Sequence, residues 1–485
     1  MMILTTIICY FAALLLIARI TGQAGGSNAA FFKGENKSPW YIVSFGMIGA
    51  SISGVTFVSV PGMVRGMDMT YMQTVFGFFF GYMIVAHVLL PLYYKLNLTS
   101  IYTYLGTRIG VRAYRTSSFF FLLSRMLGTS AKLYLVCLIL HTYVFQAMHI
   151  PFWMIAAGSV ALVWIYTHKS GIKTIVWTDT LQTFCLIAAL VFIIYFTVQR
   201  LNLDSAGIFH TIRNSPYSRI FVFDDWISRQ NFFKQFFSGI FIVIVMTGLD
   251  QDMMQKNLSC RNLREAKKNM YCYGFSFIPL NFLFLCLGIL LITLAGQMKL
   301  ELPLMNDDIL PMFATQGYLG PSVLILFTIG IIAAAFSNAD SALTAMTTSV
   351  CVDLLNTEQE PEQTARRKRK IVHLSLSALL AFFICLVEML NNKSIIDTIY
   401  IIASYTYGPL LGMFAFGLFT RRQTNDRWVP LIAILSPVLC YLADWWTEKE
   451  TGYKFGYELL MLNGTLTFAG LWIMSTKNNK EKTWK

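Results

Sequence analysis

Apolar stretches of about 20 residues recur along the whole chain, and this repetition restricts it to folds built from membrane-spanning helices. Inside a bilayer, backbone polar groups are satisfied only within helices or closed barrels. Charged residues make up 13% of the chain, about half the fraction found in soluble domains. The mean hydropathy is +0.57. The chain is therefore predicted to be an all-α integral membrane protein.

The spacing of these stretches predicts about 13 transmembrane helices in a single polytopic membrane domain that covers residues 1–485. The predicted spans are 3–20, 40–62, 71–94, 118–145, 150–167, 173–198, 232–254, 271–296, 321–349, 371–390, 396–419, 428–446 and 456–475. They divide into an accessory helix (3–20), a first five-helix repeat (40–198), a second five-helix repeat (232–419), two accessory helices (428–475) and a basic cytoplasmic tail (476–485).

Two of the spans contain features that interrupt a helix. Residues 46–56 include three glycines and three hydroxyl residues, followed by Pro61, and residues 239–251 include Gly239 and Gly248. These spans are five apart, so each would open one set of five helices. Interrupted helices at matching positions of two halves are typical of inverted-repeat secondary transporters. Close helix packing through glycine is the alternative explanation for either span.

The distribution of Lys and Arg predicts the orientation in the membrane. With the N-terminus outside and the C-terminus in the cytoplasm, inward loops and the tail carry 25 of the 38 Lys and Arg residues, and outward segments carry about 9. The first span has no cation before it, which favours a retained helix over a cleaved signal peptide. The absence of a targeting peptide and the short loops favour the inner membrane of a bacterium.

Several functional classes lack their sequence motifs. The chain has no phosphate-binding loop of the Walker type, no HExxH and no Gly-x-Ser-x-Gly. Its nine cysteines and six histidines form no cluster with metal-ligand spacing. The sequence gives no support for an ATP-driven pump, a membrane protease or another enzyme, nor for nucleic-acid binding by the basic run at residues 366–370.

A polar stripe lies inside the apolar run 323–350. Ala334, Ser337, Asn338 and Ser341 recur at i, i+3, i+4 and i+7, which places them on one face of a helix. Asp340 lies among them. Because a carboxylate at membrane depth is energetically costly, it indicates a functional site. The stripe predicts one half of an ion site.

The motifs together resemble those of the sodium/solute symporter family, which includes sodium-coupled proline, glucose, pantothenate and sialic acid carriers. The resemblance runs from about residue 3 to residue 475. Its most specific parts are the broken second span, residues 171–182, residues 248–251 with Gln255, residues 337–341 and residues 405–412. The resemblance implies a LeuT-type fold of five plus five helices with accessory helices, a co-transported sodium ion, a small-molecule substrate and transport by alternating access.

The resemblance also implies a principal sodium site. Its ligands would be the carbonyls of Gly49 and Ile52 at the helix break, the carbonyl of Ala334, and the side chains of Ser337 and Asn338. The family usually has Ser or Thr where this chain has Asn338. The amide oxygen of Asn338 would either ligate the ion or only brace the helix.

A second ion position is implied by family members that bind two sodium ions. The corresponding residues are Asp179, Asp340 and Ser341, and Asp340 stands where those members have a hydroxyl. Two neighbouring carboxylates repel each other, and one can hold a proton. Three alternatives stay open: a second sodium ion, one proton, or neither. A purely structural hydrogen-bonding role is also open for Asp179 and for Asp340.

The substrate is expected beside the broken helix near the middle of the membrane. The residues predicted to bind it are Ser51, Ser53, Thr56, Lys132, Tyr71, Gln73 and Phe76. Lys132 lies roughly 21 Å into its span at 1.5 Å per residue, and a cation on this helix meets the substrate carboxylate in the sialic acid branch of the family. The alternative is that Lys132 pairs with a helix end or reaches the outer surface. Arg125 would reach the membrane surface or pair with a carbonyl.

The eleventh span carries Tyr405 and Tyr407, for which a gating role is predicted beside the more common packing role. Asp250, Gln251 and Gln255 are predicted to form a network with the basic loop that follows them. The function predicted for the chain is sodium-coupled import of a small organic solute, such as a carboxylate or a sugar acid like sialic acid. A proton-coupled carrier on the same fold and a transporter-like membrane sensor are the alternatives. The partners are the solute and the lipid bilayer, and the oligomeric state stays open, with a monomer as one option.

Overall fold

The computed structural model describes residues 2–22, 31–32, 38–145, 148–168, 171–390 and 395–476. The first half contains α1 (Met2–Gly22), α2 (Trp40–Ser51), α3 (Gly54–Met67), α4 (Tyr71–Ile84), α5 (Leu90–Lys95), α6 (Thr103–Arg108), α7 (Val111–Ile139), α8 (Phe152–Thr167), α9 (Ile172–Leu201) and α10 (Ser205–Arg213). One π-helical turn, Val85–Leu89, joins α4 to α5, and another, Leu140–Val144, extends α7.

The second half repeats this pattern of long helices. It contains α11 (Phe232–Val243), α12 (Gln251–Leu258), α13 (Leu263–Met298), α14 (Ile309–Thr315), α15 (Pro321–Ser349), α16 (Glu362–Leu390), α17 (Ile395–Phe419), α18 (Val429–Thr451) and α19 (Leu459–Ile473). The π-helical turns Ile244–Gly248 and Val350–Leu354 extend α11 and α15. A short antiparallel ribbon pairs β1 (Gln423–Thr424) with β2 (Ser475–Thr476).

The helices have the length and composition expected of membrane spans, which confirms the predicted fold class. Within the described residues, eight helices are long and apolar enough to cross a bilayer. Two further spans are bent pairs, α2 with α3 at 60° and α11 with α12 at 65°. Three shorter apolar helices lie at residues 5–21, 152–167 and 459–473. Each predicted span overlaps one of these segments, while the exact number of crossings stays a prediction.

The two bends fall where interrupted helices were predicted, at the first helix of each predicted five-helix set. At the first bend, Ser53 begins α3, and its hydroxyl accepts a hydrogen bond from the Thr56 amide. At the second bend, the Asp250 carboxylate begins α12 by accepting the amides of Asp252 (3.0 Å) and Met253 (3.3 Å). A side-chain oxygen thus satisfies amides that a helix start leaves without partners.

Glycines allow α2 to approach α9 closely. A Cβ atom at Gly49 would lie 2.1 Å from Thr183 Oγ1, and one at Gly46 would lie 3.0 Å from the Asp179 Cβ. Helix α9 also packs along α15, which carries the polar stripe. The backbone of the first bend, Asp179 and the stripe are therefore brought to the same region of the core.

Candidate ion and substrate site

The first bend releases a backbone carbonyl at the centre of the fold. In a continuous helix the Ser53 amide would donate to the Gly49 carbonyl, but here it donates to the Ser51 carbonyl at 3.0 Å. The neighbouring Ala50 carbonyl accepts a hydrogen bond from the amide nitrogen of Asn338, at 2.9 Å. The Gly49 carbonyl has therefore lost its intrahelical donor, as the predicted sodium site requires.

Asn338 connects the stripe on α15 to this bend. Its side chain is 1% exposed, and within the described part of the chain its Oδ1 atom has no hydrogen-bond donor. A buried acceptor without a donor is energetically costly unless a cation or a water molecule satisfies it. Asn338 is also one of the residues that line a cavity. The amide nitrogen thus braces the helix break, which is one of the two predicted roles, and ligation of an ion by the oxygen stays a prediction.

Ser337 lies one position earlier and donates to Asp179 Oδ1 at 2.6 Å. Its proton is committed to the carboxylate, so the lone pairs of its hydroxyl oxygen remain available for a cation. Ile52 and Ala334, whose carbonyl oxygens are the other two predicted ligands, are also buried. Neutral hydroxyl and carbonyl oxygens are the ligands that a hard monovalent cation prefers.

A buried lysine lies beside this region and was not recognised in the sequence. Lys256 Nζ is 2.8 Å from Asp179 Oδ2 and 4.0 Å from Asp252 Oδ1. Its side chain is 1% exposed. The predicted seventh span ends at residue 254 and leaves Lys256 in a cytoplasmic loop, whereas the structure buries it in α12. The spacing of Asp252 and Lys256 at i and i+4 was the available signal, since it pairs opposite charges on one helix face.

The other predicted carboxylate, Asp340, has partners of its own. The Tyr166 hydroxyl on α8 donates to Asp340 Oδ2 at 2.9 Å, and Ser341 donates to Oδ1 at 3.2 Å. The structure therefore places Asp179, Asp340 and Ser341 in the core, but each carboxylate oxygen already has a protein partner.

Arg125 on α7 binds the second bend through two carboxylates. Its guanidinium lies 3.1 Å from Asp250 Oδ1 and donates to Asp252. The Tyr407 hydroxyl on α17 also donates to Asp250. The prediction that Arg125 pairs with a carbonyl or reaches the membrane surface is thus wrong. Tyr407 is buried at this bend.

Two tyrosines bind the carbonyls released at the second bend. Tyr93 donates to the Gly248 carbonyl at 2.9 Å and Tyr102 donates to the Leu249 carbonyl at 3.0 Å. Gln251 bonds to the backbone of residues 99 and 101, and Gln255 bonds to the Phe32 carbonyl. The predicted network exists, but its partners differ from the basic loop that was expected.

A cavity opens beside the first bend. It is lined by polar residues from the bend, α7 and α15 and by aromatic residues from α4 and α13, among them Ser51, Ser53, Thr56, Arg125, Lys132, Asn338, Phe78, Tyr82, Tyr273 and Phe277. The Ser51 hydroxyl is hydrogen-bonded to Tyr273, which also accepts from Tyr82 at 3.0 Å. The cavity thus joins hydroxyl groups, an apolar wall and cations.

Lys132 faces this cavity two helical turns from Arg125. No carboxylate of the described residues lies within ion-pair distance of its ammonium, whereas Arg125 has two. Lys132 therefore lies where a solute could reach it, and its predicted contact with a substrate carboxylate stays a prediction.

Four other predicted residues lie away from the cavity lining. Gln73 donates to the Gln230 carbonyl at 2.9 Å, and the ring of Phe76 stacks on Phe221 with centroids 6.0 Å apart. Tyr71 is buried nearby. The Tyr405 carbonyl accepts from Asn463 on α19 at 3.1 Å. In this structure these residues hold a loop and neighbouring helices together and do not line the cavity.

The family of the chain follows from comparison with known proteins. The model of the sodium:solute symporter family matches residues 31–427. The chain belongs to this family. It is 24% identical to the sodium/sialic acid symporter NanT of Aliivibrio fischeri, over 94% of this chain and 91% of that protein. It is 23% identical to the sodium/sialic acid symporter SiaT of Proteus mirabilis, over 94% and 93%.

A solved structure supports the same fold. A sodium-coupled sialic acid symporter, in a substrate-bound outward-open state, superposes with a TM-score of 0.83 at 19% identity and 99% coverage of both chains. Mhp1, a nucleobase-cation-symport-1 family transporter, gives a TM-score of 0.51 at 14% identity. The chain therefore has a LeuT-type fold, as predicted. It is a multi-pass sodium-coupled symporter of a small solute.

Proposed function

We propose that the protein imports an organic anion, a carboxylate such as a sialic acid, together with sodium by alternating access. Lys132 is the observation that carries this proposal. Lys132 lines the cavity, and no carboxylate of the described residues lies within ion-pair distance of its ammonium. A cation without an ion-pair partner in a cavity within the membrane favours a negatively charged ligand.

The remainder of the cavity suits a sugar acid. Ser51, Ser53 and Thr56 supply hydroxyl groups near the bend, and Phe78 and Phe277 supply apolar surface. A few placed polar groups in a largely apolar pocket are typical of small-molecule sites. The resemblance to NanT and SiaT over nearly the whole chain supports this choice of substrate.

Sodium is proposed to bind at the first bend. Its ligands would be the carbonyls of Gly49, Ile52 and Ala334 and the side-chain oxygens of Ser337 and Asn338. The released Gly49 carbonyl and the donor-free Oδ1 of Asn338 support this site. A bound ion would hold α2, α3 and α15 in one arrangement. The hydroxyl groups of the bend that are proposed to bind the substrate would become ordered at the same time.

The proposed orientation has the N-terminus outside and the C-terminus in the cytoplasm. It is supported by the loops rich in Lys and Arg, which it places on the cytoplasmic side. Burial of Lys256 removes one cation from the inward loops and leaves their excess intact. The bacterial relatives support a place in the inner membrane of a bacterium.

The test is uptake of radiolabelled N-acetylneuraminic acid by proteoliposomes that contain the purified full chain. An inward sodium gradient should drive uptake, and replacement of sodium by choline should abolish it. Lys132→Gln should raise the half-saturating solute concentration by about 10- to 100-fold, since a charge-assisted hydrogen bond is lost. Binding of ²²Na⁺ should be retained.

Lys234→Gln is the matched control. It removes the same charge at α11, where the ammonium lies 4.7 Å from the ring centroid of Tyr453 and away from the cavity. It should leave uptake unchanged. Unchanged uptake in Lys132→Gln would contradict the anion site. Uptake of other carboxylates but not of N-acetylneuraminic acid would contradict the choice of a sialic acid.

A further inference from the structure

Lys256 is a buried ammonium that the family comparison leaves unexplained. It belongs to α12, the second half of the second broken helix, and its side chain is 1% exposed. Its partner Asp179 belongs to α9 of the first repeat and is also 1% exposed. A buried charge is retained at a cost, so the pair calls for an explanation in terms of ion binding or structure.

Both oxygens of the Asp179 carboxylate already have a protein partner. Oδ1 accepts from Ser337 at 2.6 Å, and Oδ2 lies 2.8 Å from Lys256 Nζ. A sodium ion bound to Asp179 Oδ2 would lie where the ammonium of Lys256 now lies. The ammonium and the ion would therefore compete for one position. Two cations there would also repel each other.

The second carboxylate of the predicted site is committed in the same way. Both oxygens of Asp340 accept hydrogen bonds, from Tyr166 and from Ser341. By contrast, the first bend keeps a released carbonyl at Gly49 and a donor-free oxygen on Asn338.

We propose that the ammonium of Lys256 takes the place of a second transported sodium ion, so that the chain binds one sodium ion per cycle. The lysine supplies the positive charge that Asp179 needs and remains attached to the protein. It also joins α9 of the first repeat to the broken helix of the second repeat. The inference concerns the sodium stoichiometry and goes beyond the identity of the solute.

The test is equilibrium binding of ²²Na⁺ to the purified full chain without solute. The wild-type protein should bind one ion per chain, and Lys256→Met should bind two, because the carboxylate becomes open to sodium. Lys256→Arg, which keeps the charge, should still bind one. Binding of two ions, or of none, by the wild-type protein would overturn the proposal even if the methionine variant fails to fold.

A double variant separates ion binding from general disruption. Lys256→Met combined with Asp179→Asn removes both charges of the pair, so it should bind one ion. Binding of only one ion by a folded Lys256→Met variant, with a single thermal transition, would also overturn the proposal. Because no solute is present in the assay, failure of N-acetylneuraminic acid uptake would not affect these outcomes.

Discussion

The two broken helices differ in how their released backbone groups are satisfied. At the second bend, Tyr93 and Tyr102 bind two carbonyls, and Arg125 pairs with the carboxylate that begins α12. At the first bend, the Gly49 carbonyl has lost its helical donor, and the Asn338 Oδ1 atom has no donor among the residues that the structure describes. A break that the protein satisfies by itself is structural, whereas one that it leaves open can receive an ion.

This comparison predicts that changes at the second bend affect stability and that changes at the first bend affect sodium affinity. The largest effect is expected for Arg125→Ala. It leaves Asp250 and Asp252 without their guanidinium partner, and loss of one partner of a buried ion pair costs about 3–5 kcal/mol. The measurement is the unfolding free energy of the purified protein in detergent.

Lys132→Ala is the matched control for that variant. It removes a cation from the same helix, at a position with no carboxylate partner among the described residues. Its unfolding free energy should change far less. Equal destabilisation by the two variants would contradict the comparison. It would mean that the ion pairs at the second bend make no particular contribution to the free energy of unfolding.

Ser337→Ala, at the first bend, should change sodium affinity rather than stability. Loss of one proposed ligand should raise the half-saturating sodium concentration about tenfold, equivalent to about 1.4 kcal/mol. Sodium-dependent uptake measures this shift. Ser349→Ala is the matched control on the same helix and should leave sodium affinity unchanged, since Ser349 lies about three turns from Ser337 and donates to Asp353. A similar shift in both variants would contradict a single ion site at the first bend.

The smallest effect is expected for Tyr102→Phe. The hydroxyl that donates to the Leu249 carbonyl is lost, and the free energy of unfolding should fall by about 1 kcal/mol. Sodium affinity should not change. Tyr104→Phe is the control, since no carbonyl bond is found for this hydroxyl within the described chain. A clear loss of sodium affinity in Tyr102→Phe would show that the second bend also takes part in ion binding.

Local pattern was enough to predict the helices, the two breaks and the stripe on α15. Helical spacing places Ser337 and Asn338 on one face regardless of what packs against them. The partner of Lys256 could not be predicted in this way, because it depends on how α12 meets α9. The same holds for Arg125, whose carboxylates come from a distant part of the chain. Gln73 and Phe76 were expected to contact the substrate, but they contact the loop between α10 and α11. The path of a loop cannot be predicted from hydrophobic periodicity.

The pair of Lys256 and Asp179 also has an electrical consequence. A lysine side chain returns with the protein in every cycle, so its charge is not delivered across the membrane. With one sodium ion accompanying one carboxylate anion, the net charge carried per cycle would be zero. The membrane potential, worth about 2.3 kcal/mol per charge per 100 mV, would then add nothing to accumulation. The sodium concentration gradient alone would set how far the solute is concentrated.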